Sequence, residues 1–247
     1  MMFAEQLPID PPTAGRPRLL DLCCGEQGAG VGYSRAGFDV TGVDLSERAA
    51  RRAPLPFILG DAVAYLAAHG HEYDAVHVSP PCPAYSVATP ATHRDRHPRL
   101  IEPLRELLVA LGKPYVIENV VGAPLLDPVM LCGSMFGVEA LDDDGTRIRL
   151  ERHRLFESNV AISAPGPCAH DKSVRVAGLY GGWVGGSDEP SGARRVHAVG
   201  CGASPLGGDA VDEFGGGWAV DPARVCGAFG AAVVGVVPRV DVGNPVV

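Results

Sequence analysis

Five short apolar runs within the first 120 residues each end in glycine or in polar residues, and this repetition constrains the chain more than any other feature. The first, residues 18–23, leads into glycines at 25, 28, 30 and 32, and a helix is expected to open near Gly30. The second, 38–45, closes around Asp44, and the third, 56–59, ends at Gly60-Asp61. The fourth, 73–78, ends in Ser79-Pro80-Pro81-Cys82, and the fifth, 115–120, in Glu118-Asn119-Val120. Between the last two, Leu100, Ile101, Leu104, Leu107, Leu108 and Leu111 recur at helical spacing, so one face of a helix covers the sheet. Strands alternating with helices imply an α/β fold with a doubly wound, mostly parallel sheet, whose site lies at the strand C-termini.

The 247 residues suit one medium catalytic domain. We expect a proline-rich lead over 1–17, a catalytic domain over 18–160 and a glycine-rich tail over 161–247. Apolar residues at 46% and charged residues at 20% argue against disorder of the chain as a whole. A net charge of −8 argues against nonspecific adhesion to nucleic acid over the whole surface, but leaves room for a local basic face. Such faces are offered by Arg94, Arg96, His97 and Arg99, and by the basic, strand-like segment 147–158. No run approaches the roughly 18–20 apolar residues of a membrane span, and the N-terminus has no charged-then-apolar signal, so a cytoplasmic protein is expected. Seven cysteines form no C-x-x-C pair, which suggests neither a zinc ribbon nor a disulfide framework. Cys24, Cys132, Cys201 and Cys226 are expected to pack as small apolar groups. Cys168 and His170 have the C-x-H form of half a metal site, but no second pair lies near them in sequence, so a loop contact and no metal are expected.

The run Asp21-Leu-Cys-Cys-Gly25-Glu-Gln-Gly28-Ala-Gly30 puts glycines where a strand turns into a helix while its backbone approaches a ligand. Asp44, fourteen residues after Gly30, can bind both ribose hydroxyls, and Asp61 can accept from an adenine amino group. Together these strand ends describe a nucleoside pocket. Asp21 and Glu26 beside the loop would repel a pyrophosphate and suit a cation, such as the sulfonium of S-adenosylmethionine. In the fourth strand end, two prolines fix the backbone and remove two amide donors, holding the Cys82 thiol in a rigid loop. If the fourth and fifth strands are neighbours, Glu118 lies beside that loop, and a thiol next to a carboxyl able to bind a base is a covalent-catalysis constellation.

In order along the chain, Asp-Leu-Cys-Cys-Gly25, Asp44, Pro80-Pro-Cys82-Pro-Ala-Tyr-Ser86, Glu118-Asn-Val120 and Arg152-His-Arg154 resemble the cytosine-5 DNA methyltransferases, especially small phage and actinobacterial forms. The resemblance covers roughly residues 18–160. It implies a Rossmann-like, S-adenosylmethionine-dependent fold with Cys82 as nucleophile on cytosine C6 and Glu118 as contact and proton source at N3. Arg152 and Arg154 would hold a flipped nucleotide. Asp21, Gly25, Gly28, Asp44, Asp61 and Pro80 would line the cofactor pocket. The implied partner is double-stranded DNA with an extruded cytosine, and a monomer is expected. Three departures stand out: Pro83 and Leu150 replace glutamines usual in the family, and the segment available for target recognition is short. An RNA cytosine methyltransferase, or a homologue that binds without turnover, would share the constellation. A dinucleotide oxidoreductase leaves the Pro80 to Cys82 run and Glu118-Asn119 unexplained.

The tail carries glycine clusters without lasting periodicity, and only 231–237 could form a strand. Small family members end in segments like Tyr-Thr-Pro-Ser and Ile-Pro-Pro-Ala-Tyr. Codons allowed for residues 196–200 and 220–234, shifted by one nucleotide, can encode Tyr-Thr-Pro-Ser and Ser-Ile-Pro-Pro-Ala-Tyr-Ala-Glu-His-Leu-Gly-Arg-Gln-Leu-Leu. The expectation is therefore that the chain leaves its ancestral frame between residues 181 and 196.

Overall fold

A parallel strand buried on both faces needs apolar side chains at successive positions, and β1 (Arg18–Leu22) supplies Leu19, Leu20 and Leu22 with almost no exposure. The computed structural model describes residues 15–136, 139–141 and 147–177. After β1 come α1 (Gly28–Arg35), β2 (Asp39–Asp44), α2 (Glu47–Ala50), β3 (Phe57–Leu59), α3 (Ala62–His69) and β4 (Ala75–Val78). The chain continues through α4 (Ala91–Arg94), α5 (Ile101–Leu111), β5 (Tyr115–Asn119) and β6 (Val129–Cys132). The remaining described strands are β7 (Glu139–Leu141), β8 (Arg147–Leu150), β9 (His153–Ser158) and β10 (Arg175–Ala177).

Seven strands form one sheet in the order β3-β2-β1-β4-β5-β9-β6, and three form a small sheet in the order β10-β8-β7. Pairings from β3 to β5 are all parallel, whereas β9 runs antiparallel to both β5 and β6. The strand order reverses between β1 and β4, which opens the crevice of a doubly wound fold at the C-terminal edge. The expected α/β, doubly wound, mostly parallel sheet is therefore what the chain forms.

Alternation along each strand divides the core in two. Leu20, Leu22, Val43, Val76, Val78 and Ile117 pack with Leu66 of α3 and Leu104 and Leu108 of α5. Leu19, Val40, Ala75, Val116, Leu131 and Phe156 pack with Tyr33 of α1 on the other face. The leucine pattern of 100–111 forms α5 as expected, stopped by Gly112 at φ 68°.

Three local expectations are corrected. Within the tail, where only 231–237 was expected to form a strand, β10 forms by pairing parallel with β8. Helix α1 opens at Gly28 rather than near Gly30, because Gln27 takes a left-handed φ of 61° and completes the turn earlier. The basic segment 147–158 divides at Glu151-Arg152 into β8 and β9, which belong to different sheets. The glycine clusters, the 231–237 run, Cys201, Cys226 and the frame departure between 181 and 196 lie outside the described residues. Among those described, no helix is long and apolar enough to cross a membrane.

One ion pair fixes α5 against the antiparallel strand. Arg105 donates from Nε and Nη2 to the two oxygens of buried Glu157, each at 2.7 Å, and Glu157 also accepts from Leu126 N at 2.8 Å. Removing one partner strands a buried charge, which costs far more than the pair itself contributes. Arg105→Ala is expected to destabilise the fold by about 3 kcal/mol, and Arg105→Ala/Glu157→Gln by less, measured by urea denaturation.

Candidate active site

The turn after β1 is shaped by three successive departures from ordinary backbone, with φ of 53° at Cys23, 51° at Gly25 and 61° at Gln27. Gln27 holds that shape from within. Fully buried, it donates from Nε2 to Pro56 O at 2.9 Å and accepts from Leu55 N at 3.0 Å, pinning the loop to the segment before β3. Its path crosses Gly42, where a Cβ would lie 2.3 Å from the Gln27 amide nitrogen, so only glycine fits in β2.

Asp44 closes the loop from the neighbouring strand, accepting from Gly25 N and Ser46 N at 2.9 Å each. Asp61 caps α3 by accepting from Ala64 N at 2.8 Å and is otherwise exposed at the next strand end. Asp21 lies underneath, fully buried; a Cβ on Gly30 would come within 3.0 Å of its Oδ2. Neither Asp21 carboxyl oxygen makes a well-formed hydrogen bond among the described residues. Burial pushes the Asp21 pKa up to about 8, the Gly30 backbone N–H opposing the rise and the charge of Asp44 adding to it. The Cys23 thiol is pushed up to about 12, first by burial and then by Asp44, Asp21 and Asp61. Three acidic strand ends thus surround one half-buried thiol, and their field disfavours any further negative charge. Glu26 extends that acidity, partly balanced by Arg52 at 3.5 Å.

On the other side of the crevice, Ser79-Pro80-Pro81-Cys82 leaves β4. Pro80 is buried and Cys82 half-buried, and Cys82 O accepts from Tyr85 N and Ser86 N at 2.9 Å, closing a tight turn below the thiol. With no amide on either proline, this loop must be held through its carbonyls. Asn119, 1% exposed at the end of β5, does so by donating from Nδ2 to Pro80 O at 2.9 Å. Its Oδ1 accepts from Val120 N, so the side chain has both ends fixed. Beside it, Glu118 Oε1 accepts from Arg154 Nε at 2.7 Å. Arg154 is the diagonal cross-strand neighbour of Glu118, because β9 pairs Phe156 with Glu118.

A buried polar line runs beneath both halves. Asp21 is in register with His77 on β4, and His77 joins Tyr33 Oη at 3.0 Å and Ser79 Oγ at 2.9 Å through its two ring nitrogens. Burial lowers the His77 pKa to about 4, so it is neutral at pH 7.

The fold therefore gathers Asp21, Gly25, Gly28, Asp44, Asp61, Pro80, Cys82, Glu118 and Arg154 along one edge of the sheet. Arg152 is half-buried between β8 and β9. The basic run after Cys82 turns partly onto its own loop: Arg94 donates to Thr89 O at 3.0 Å, and Arg99 pairs with Asp95 at 3.4 Å. Sequence reasoning missed Gln27 and the anchoring role of Asn119. Glycine at position 42, inside an otherwise β-branched strand, was the available signal for the first. The C-x-H pair is not alone in space: Cys132 and His153 are brought onto Cys168 and His170, supplying the second pair that the sequence separates.

The crevice is that of a doubly wound, Rossmann-like fold, with an acidic pocket on one side of the switch point and a thiol loop on the other. No protein-family model matches the chain, and no curated protein sequence does. Among solved structures it is similar to a Spodoptera frugiperda DNMT2 variant at 17% identity and a TM-score of 0.42, over 57% of this chain and 49% of that one. It is similar to the S. pombe Dnmt2 methyltransferase at 14% and 0.40, over 58% and 49%. The SAM-dependent methyltransferase from Agrobacterium tumefaciens gives 18% and 0.35, over 59% and 56%. The chain thus spans about half the length of each of these structures.

The raised pKa of Asp21 has a stability consequence. Its proton stabilises the fold fully below about pH 4, and that contribution is lost as the pH rises through about 8. Asp21→Asn, which keeps the shape without the charge, should match the wild type in melting temperature near pH 4. It should exceed it progressively toward pH 8 and above, by roughly 2–4 °C for each kcal/mol gained. Thermal melts of both proteins across this range measure the difference, in which the opposite contribution of His77 cancels.

Proposed function

We propose that this chain is an S-adenosylmethionine-dependent cytosine-5 methyltransferase acting on DNA. The observation that carries the reading is the meeting of three sequence-distant elements: the Pro-Pro-Cys82 loop, the Glu118-Asn119 strand end that anchors it, and Arg154 paired to Glu118. A thiol and an oriented carboxyl on adjacent strand ends support this reading, because attack on a heterocycle needs both.

The residues of the opposite half fit the cofactor. Buried Asp21, together with the acidic strand ends Asp44 and Asp61, suits a cationic nucleoside and opposes a pyrophosphate. Asp44 would take the ribose hydroxyls, Asp61 the adenine edge, and Gly25 and Gly28 let the backbone approach closely. Pro80, buried next to the thiol loop, would close the pocket toward the reacting base. When bound, S-adenosylmethionine supplies an electrophilic methyl group.

Cys82 would add as thiolate to C6 of an extruded cytosine, while Glu118 binds the ring at N3 and delivers a proton there. Electron density then builds at C5, which takes the methyl group. Loss of the C5 proton to water then expels the thiolate, and N3 returns its proton to Glu118 as the aromatic ring is restored. Arg154 keeps the Glu118 carboxyl turned toward N3 through Oε1, leaving Oε2 for the base. Arg152, on the segment entering β9, would contact the flipped nucleotide. Extrusion is required because C6 is unreachable inside a stacked duplex.

An RNA cytosine is a second substrate for the same chemistry, distinguished by dependence on the 2′-hydroxyl. We also hold to a monomer in the cytoplasm acting on double-stranded DNA.

Calorimetry should show S-adenosylmethionine binding, weakened by roughly 1–3 kcal/mol in Asp44→Ala, where ribose hydroxyls lose their half-buried partner. Binding of NAD in its place would overturn the cofactor assignment. DNA carrying 5-fluorocytosine should trap the wild-type chain covalently, because fluorine blocks the final elimination, and Cys82→Ala should neither trap nor transfer. Methylation by Cys82→Ala would move the reaction to an exocyclic nitrogen.

A further inference from the structure

At the outer edge of the large sheet, four side chains from three segments converge. Cys132 ends β6 and His153 begins β9, and the two are register partners across the antiparallel pair. Cys168 and His170 lie in the loop between β9 and β10, which folds back over that edge. The two sulfurs and two ring nitrogens all lie within 4.8 Å of one another. Cys132 Sγ is 3.4 Å from His170 Nε2, and Cys168 Sγ is 3.4 Å from His153 Nε2.

We propose that Cys132, His153, Cys168 and His170 bind one Zn(II) ion, which fastens the loop between β9 and β10 to the edge of the sheet and fixes the start of the strand carrying Arg154. A tetrahedral ion with Zn–S near 2.3 Å and Zn–N near 2.0–2.1 Å sets its sulfur and nitrogen ligands about 3.5 Å apart, which the two sulfur–nitrogen distances match. The mutual closeness of all four atoms fits a single ion; a two-iron cluster would hold its cysteine and histidine pairs on separate metals, further apart. Two thiolates with two imidazoles favour zinc among the common divalent ions. Four protein ligands leave no position for water or substrate, so the site is structural.

The surroundings support ligation. Ser134 Oγ donates to Cys132 Sγ at 3.3 Å and accepts from Ala169 N at 3.3 Å, joining the turn after β6 to the loop between the second pair of ligands. Such outer hydrogen bonds orient ligands and moderate thiolate charge. The His153 and His170 rings meet edge to face with centroids 5.0 Å apart, which lets both Nε2 atoms converge without stacking. The sheet supplies Cys132 and His153 on rigid backbone, and the loop supplies the C-x-H pair that closes the set. This assignment stands apart from methyl transfer, and its test reads the metal directly.

Full-length chain purified without a metal-binding tag or chelator should contain one zinc per molecule by elemental analysis. Cys168→Ser and His170→Ala should each retain less than a tenth of that. Chain produced in cobalt-supplemented minimal medium should show the strong visible ligand-field bands and sulfur-to-cobalt charge transfer of a tetrahedral N₂S₂ site. The wild-type measurements decide the matter even where a variant does not fold. Wild-type chain without metal and without cobalt bands would overturn the proposal, as would an intact mass showing a Cys132–Cys168 disulfide.

Discussion

The two prolines that open the Cys82 loop have no amide with which to fix its departure from β4, and the crevice depends on how that problem is met. The Asn119 side chain supplies the missing donor from the next strand, at 2.9 Å from the Pro80 carbonyl. Because Asn119 is almost fully buried, the bond operates where water cannot compete, and losing it would leave an amide and a carbonyl unpaired. The thiol of Cys82 is thereby referred to the end of β5 rather than to a mobile loop. Glu118, one residue earlier, inherits the same frame. Position is what this geometry provides.

The other half of the crevice carries the opposite economy. Asp21, Tyr33 and His77 are buried polar groups beneath the glycine loop, and only the latter two satisfy one another. An unpartnered buried carboxyl costs stability, and the protein responds by holding its proton to about pH 8. Such a group is costly to retain for packing alone, since an apolar residue would fill the same space more favourably. A cation above the loop would favour release of that proton and compensate the carboxylate so formed, which joins this strain to the cofactor reading.

Most of the sheet was legible because parallel strands buried on two faces leave uninterrupted apolar runs, and all five runs became strands ending at the expected polar residues. The helix over 101–111 was legible from its spacing for the same reason. What escaped the sequence was pairing across distance. Gln27 reads as one more polar residue in a turn, and nothing near it reveals that its amide bonds lie 28 and 29 residues onward. Arg105 and Glu157 are separated by 52 residues, and Cys132 and His170 by 38. The division of 147–158 into two strands was hidden because both halves carry arginine and apolar residues alike, so alternation alone could not show where one sheet ends.

The antiparallel strand β9 joins these distant pairings into one device. Its period of two sends Arg154 and Phe156 toward the α1 face, where Arg154 reaches Glu118 and Phe156 enters the core. The next residue, Glu157, turns to the other face toward α5 and meets Arg105. Its first residue, His153, meets the cysteines at the sheet edge, and Ser158 at its end donates to Tyr115 O. A strand secured at both ends and on both faces cannot slip by one residue without exchanging every one of these partners. The register of β9 therefore sets the distance between Arg154 and Glu118. Through that contact, the outer edge of the sheet, far from the thiol loop in sequence, sets the orientation of the carboxyl beside Cys82.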